Sequence, residues 1–197
     1  VRVAVYGGSF NPPHVAHAMV ASWLLWTRRA DRVWLVPVFR HAFEGLHDKS
    51  LAPFELRLSW CRALAAEVVP AEDPRVEVLD IESHLPAPSY TIDTLRALSV
   101  ASPGVDLFPV VGADVLSQLP RWREWPTLQE RFPPLVVGRA GYPSPADSLS
   151  FPDVSSSAIR QRLLAGAPVD HLVPASVLAA VQAADPQRLW GAPPERR

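Results

Sequence analysis

Lysine and cysteine are nearly absent from this chain of 197 residues: Lys49 and Cys61 are single instances, against eighteen arginines. One cysteine excludes an internal disulfide framework and fits a reducing compartment. Cys61 sits in an apolar helical pattern and reads as a buried, inert thiol. The formal net charge is only -1. That small charge argues against a general nucleic-acid binder or a membrane-surface binder. The longest apolar run, Val15 to Trp26, is too short to span a bilayer as a helix. A glycine-rich turn stands where a signal peptide would carry a charged start and a small-residue cleavage site. A soluble cytoplasmic protein is therefore expected. The dinucleotide pattern G-x-G-x-x-G is missing, and so is a P-loop ending in Gly-Lys-Ser/Thr. These absences disfavour hydride transfer and γ-phosphate hydrolysis. There is no internal repeat, heptad or charge block.

What is present is an apolar content of 48%, enough to bury the core of one sizeable domain. Strand-like apolar runs alternate with helical patterns. Arg2–Tyr6, Arg32–Pro37, Arg75–Leu79, Asp106–Val111 and Pro134–Gly138 read as strands. Val15–Arg29, Pro53–Val69, a segment capped by Ser89 or Thr91 and running to about Val100, Ser155–Ala165 and Pro174–Ala184 read as helices. Ala113–Leu119 and Pro126–Arg131 read as short ones. Val38–Ala52 and Ala140–Pro152 read as loops. The predicted fold is α/β: a doubly wound, mainly parallel Rossmann-like sheet with helices on both faces and a small C-terminal helical subregion. Residues 1–184 form one domain, and 185–197 a flexible tail.

Two stretches carry chemistry. Gly7-Gly8-Ser9-Phe10-Asn11-Pro12-Pro13-His14-Val15-Ala16-His17 follows the first strand and opens a helix. A glycine turn before a helix N-terminus is a ready anion site. His14 and His17 share one face of the first turn and can donate N–H groups to developing phosphoryl charge. As metal ligands they would need partners of recognisable spacing, and no such set is evident. The second stretch is Val154-Ser155-Ser156-Ser157-Ala158-Ile159-Arg160. Helix capping explains the serines alone. Arg160 near the positive end of the helix dipole is better explained by a bound anion.

The first stretch resembles the G-G-[ST]-F-[DN]-P-x-H-x-[GA]-H signature of the nucleotidylyltransferase superfamily. The second resembles its I-S-S-[ST]-x-I-R signature. Pro88-Ser89-Tyr90-Thr91-Ile92-Asp93-Thr94-Leu95, Val111-Gly112-Ala113-Asp114 and Leu119-Pro120-Arg121-Trp122 resemble segments of bacterial nicotinate-nucleotide adenylyltransferases. The resemblance covers Val3 to about Val181. It implies Mg²⁺-dependent transfer of AMP from ATP to nicotinate mononucleotide, giving deamido-NAD and pyrophosphate without a covalent intermediate, and a helical part, 155–184, that completes the ATP site. It places ATP at Gly7, Gly8, Ser9, Phe10, Gly112, Asp114, Ser156, Ser157 and Arg160, with His14, His17 and Arg160 catalytic. It places the mononucleotide at Tyr90, Thr91 and Trp122, with Arg40, His41 and Lys49 as candidate cations. Core packing for Trp122, and capping or packing for Tyr90 and Thr91, stand beside those roles.

The chain departs from the family pattern at three places. Asn11 replaces a common aspartate, and Ala16 a common glycine. The family's Pro-x-x-x-Pro-Pro-His-Lys loop becomes Pro37-Val38-Phe39-Arg40-His41-Ala42-Phe43-Glu44-Gly45-Leu46-His47-Asp48-Lys49. Another acceptor, such as nicotinamide mononucleotide or phosphopantetheine, and a nucleotide-binding protein without turnover are the competing readings. Oligomeric state, homo-oligomer included, is left open.

Overall fold

The computed structural model describes residues 1–41 and 51–191. Lys49 and most of the divergent loop lie outside them. The strands are β1 (Arg2–Gly8), β2 (Arg32–Pro37), β3 (Val76–Val78), β4 (Asp106–Gly112), β5 (Leu135–Arg139) and β6 (Ser150–Phe151). They form one parallel sheet in the order β3-β2-β1-β4-β5-β6. The helices are α1 (Val15–Trp26), α2 (Phe54–Val68), α3 (Thr91–Ala101), α4 (Trp125–Arg131), α5 (Ser156–Leu164), α6 (Ala175–Ala183) and α7 (Pro186–Trp190). This is the doubly wound arrangement expected from the alternation of patterns. Among the described residues no helix is long and apolar enough to cross a membrane.

Side chains alternate across a strand, so each strand feeds both faces of the sheet. Ala4, Val33 and Leu35 join residues of α1, α2, α5 and α6, including Leu24, Trp60, Ile159 and Val177. Val3, Val5, Trp34 and Val36 pack on the other side against Ile92 and Leu95 of α3 and Leu128 of α4. Strand β2 is buried from Val33 through Pro37, which is why its sequence is apolar without alternation. Cys61 lies in the first of these cores, fully buried, and burial pushes its thiol pKa up.

Several boundaries differ from the sequence reading. Helix α1 ends at Trp26, because Arg28 turns into the left-handed region at φ 55°. Neither Ser89 nor Thr91 caps α3: Tyr90 holds the cap position without a side-chain bond, and Ser89 is paired with Arg40. Strand β6 falls inside the expected loop, held by pairing of Gly138 and Arg139 with Ser150 and Phe151. The expected flexible tail is wrong for its first residues. Asp185 caps α7 by accepting the N–H groups of Gln187 and Arg188, and Trp190 is buried against Trp60, ring centroids 5.9 Å apart.

Candidate active site

Strand order reverses between β1 and β4, and ligands of open α/β sheets bind outside the carboxyl ends of strands at such a point. A cavity of about 510 Å³ opens there, the size of a small-molecule site. Gly7, Gly8 and Ser9 from the end of β1 line it, with Phe10, His14 and His17 beyond them. Gly112 and Asp114 enter from β4, Tyr90 and Thr91 from the start of α3, and Trp122 and Ser156 complete the set. Thus one cavity gathers segments read from opposite ends of the chain.

The histidine rings lie against each other, centroids 3.8 Å apart and tilted by 32°. The His14 backbone N–H donates to His17 Nδ1 at 3.1 Å. A neutral His17 therefore carries its proton on Nε2, as a donor. Burial, with help from the Arg139 charge, lowers the His14 pKa to about 3. Burial, His14 and Arg139 together hold His17 well below its ordinary value. Both rings are neutral donors near pH 7. Phe10 backs His17 at a centroid distance of 4.8 Å. It does so from the left-handed region, φ 46°, a conformation of order 1–3 kcal/mol in cost for such a residue. A Cβ on Gly8 would press on the Phe10 ring at 3.3 Å. Gly8 thus leaves room for the ring.

The two signature stretches are joined directly. The Ser156 hydroxyl donates to the Pro12 carbonyl at 2.8 Å. Arg160 Nη1 donates to the Asn11 carbonyl at 2.8 Å, and its Nη2 to Ser157 Oγ at 3.2 Å. Arg160 is buried and Ser157 is exposed, and neither lines the cavity. Ser155 caps α5 by accepting the Ala158 N–H at 3.2 Å. The Asn11 side chain is buried and accepts the Ala52 N–H at 3.0 Å, so this departure anchors the far end of the divergent loop. Ala16 is buried and lines the cavity, so its methyl sits on the ligand side. Arg40 is exposed, stacks over Phe39 at 5.9 Å and does not line the cavity.

Two arginines that line the cavity were missed in the sequence. Arg139, at the end of β5, donates to Asp114 Oδ2 at 2.6 Å and to Asp153 Oδ1 at 2.8 Å. No motif marks it; only strand order brings it beside β4. Arg123 lies over the Tyr90 ring at 4.8 Å and donates to Asp93 at 3.0 Å. Its neighbour Trp122 is half-buried. His41 was read only as a candidate cation. It meets Ser9, Nε2 to Oγ, at 2.9 Å and lines the cavity. A Cβ at Gly112 would displace the Asp114 carboxylate. Among the described residues no group of three or more His, Cys, Asp or Glu side chains could hold a metal ion.

Residues 5–162 match the model of the cytidylyltransferase-like family. A "probable nicotinate-nucleotide adenylyltransferase" of Anaeromyxobacter dehalogenans (strain 2CP-C) is 44% identical over 192 residues, covering 96% of each chain. The chain belongs to the nicotinate-nucleotide adenylyltransferase family. Its relative of the same name in Myxococcus xanthus is 38% identical, over 91% of this chain and 90% of the relative. The fold is shared with a solved Plasmodium falciparum nicotinic acid mononucleotide adenylyltransferase complexed with NaAD. That structure has a TM-score of 0.77 at 19% identity, covering 95% of this chain and 98% of the other. In this chain His14, His17 and Ser156 line the cavity where the strand order reverses.

Proposed function

We propose that this chain transfers the adenylyl group of ATP to nicotinate mononucleotide, forming deamido-NAD and releasing pyrophosphate. The observation that carries the reading is the continuity of one cavity. Its lining includes His14, His17 and Ser156 as well as Tyr90, Thr91 and Trp122. An anion cradle and aromatic side chains in one cavity suit a phosphate acceptor attacking a nucleotide.

In the proposed step an oxygen of the mononucleotide phosphate attacks the α-phosphorus of ATP in line. The bond from that phosphorus to the bridging oxygen breaks, and pyrophosphate leaves with its electron pair. No bond to the enzyme forms. Such a transfer asks mainly for positioning and charge stabilisation. Ser9 and the Nε2–H of His17 hold phosphate oxygens, and His14 orders His17 from below. Asp114, fixed by Arg139, faces the ribose and adenine. Ser156 at the α5 N-terminus receives the leaving pyrophosphate, and Ser157 holds Arg160 behind it. Arg160 adds positive potential from behind them and holds the two motifs together. Tyr90, Thr91 and Trp122 receive the nicotinate end. Mg²⁺ enters as part of the ATP substrate. We place the activity in the cytoplasm, where ATP is supplied.

The test is pyrophosphate release with ATP, Mg²⁺ and a panel of acceptors. Turnover is expected with nicotinate mononucleotide. Turnover only with nicotinamide mononucleotide, phosphopantetheine or another phosphate overturns the acceptor. No release with any of them overturns the enzyme reading in favour of nucleotide binding alone.

A further inference from the structure

Two buried charged side chains have no part in that scheme. Arg57, on α2, is 1% exposed, and Glu82, between β3 and α3, is 8% exposed. Arg57 Nη1 donates to the Val38 carbonyl at 2.8 Å and to the Ser9 carbonyl at 3.0 Å. Its Nε donates to the Ala52 carbonyl at 2.9 Å. Glu82 Oε2 accepts the Phe39 N–H at 2.9 Å, and its Oε1 accepts the Thr94 hydroxyl at 3.1 Å. The Val38 carbonyl and the Phe39 N–H are the two ends of one peptide group. A buried cation therefore sits at the negative end of that peptide dipole, and a buried anion at its positive end.

Burying either charge costs several kcal/mol, and apolar residues in their place would leave the Val38, Ser9 and Ala52 carbonyls and the Phe39 N–H without these partners. The arrangement fixes one backbone orientation through charge-assisted bonds. That orientation sets the path of the chain on both sides of the peptide. Val38 N–H donates to the Gly8 carbonyl at 2.9 Å, and Ser89 N–H to the Arg40 carbonyl at 2.8 Å. His41 then reaches the Ser9 hydroxyl. Arg57 grips Ser9 from its backbone side and also holds the Ala52 end of the same loop.

We propose that Arg57 and Glu82 are positioning residues for the reaction: they clamp peptide 38–39 and so set Ser9 and His41 where the phosphate end meets the acceptor end. Neither touches reacting atoms. The proposal rests on the adenylyl-transfer reading, and its test has one arm that does not.

Glu82→Gln keeps the shape and removes the anion. Arg57→Lys keeps the charge and loses the fork that spans three carbonyls. Hydrogen exchange of backbone amides in residues 36–41, read on the substrate-free chain, is expected to speed up about tenfold or more in both variants. In steady-state assays Glu82→Gln is expected to raise the acceptor KM about tenfold and leave the ATP KM within about twofold. Arg57→Lys is expected to raise both KM values and lower kcat, because it also releases Ser9. The double variant should fall short of the product of the single effects. Unchanged exchange at 36–41 in folded Glu82→Gln overturns the clamp. So does a parallel rise of both KM values in Glu82→Gln with lowered Tm, which marks packing alone. Should Arg57→Lys not fold, Glu82→Gln decides. If nicotinate mononucleotide is not a substrate of the unaltered chain, the functional reading fails, and the exchange arm still judges the clamp.

Discussion

Lowering the pH should destabilise this protein through its signature histidines before most carboxylates titrate. In the folded chain His14 is 5% exposed and its pKa falls from 6.5 to about 3. In the unfolded chain it titrates near its ordinary value. Between those two values the unfolded state binds one more proton than the folded state, so stability must fall as pH falls. The stabilisation from a neutral buried His14 is complete above about pH 6.5 and disappears as pH drops toward 3. At about 1.4 kcal/mol per unit, roughly 1.5 units below 6.5 costs about 2 kcal/mol from His14 alone at pH 5. His17 is shifted in the same direction and adds to the loss. Urea unfolding at about pH 7, 6 and 5 measures this directly. The variant His14→Gln, which cannot titrate, should lose about 2 kcal/mol less than the unaltered chain over that range. Equal losses in the two proteins would refute the account of His14 as a neutral buried donor.

His17→Ala should slow the chemical step about 10²–10³-fold, as for losing one transition-state donor, read by single-turnover kinetics with ATP bound; an unchanged rate removes His17 from the mechanism. Gly112→Ala forces the Asp114 carboxylate off its place, so the ATP KM should rise about tenfold while Tm moves little. Arg160→Ala strips the Asn11 carbonyl of a buried charged donor. It should cost about 2 kcal/mol, a fall in Tm of roughly 4–8 °C for a chain of this size. Its ATP KM should rise as well, and an unchanged Tm would contradict the link between motifs.

The sheet was legible because β1, β2 and β4 are short apolar runs at regular intervals between helical patterns. The site was legible as two motifs, although nothing local shows that Ser156 reaches Pro12. What the sequence hides is tertiary. Strand β6 is two residues long and sits among glycine, proline and serine, so only its pairing with β5 reveals it. Helix α7 is too short to persist alone. Its signals, Asp185 before Pro186 and a large apolar Trp190, become decisive only once Trp60 is beside it. Arg139 ends a strand with no motif around it, and Arg57 looks like a polar residue in an apolar helix pattern. Their meaning comes from which carbonyls and carboxylates the fold brings to them. Lys49 and the Phe43 region of the divergent loop lie outside the described residues, and the acceptor is the part of the reading that the sequence marks least.

The most direct measurement is product identity. The chain is incubated with ATP, Mg²⁺ and nicotinate mononucleotide, and the dinucleotide is identified by mass alongside pyrophosphate. Deamido-NAD and pyrophosphate are expected in equal amounts, with no adenylylated enzyme in the intact-protein mass. A covalent AMP adduct, or ADP or AMP in place of pyrophosphate, would contradict direct adenylyl transfer to the mononucleotide.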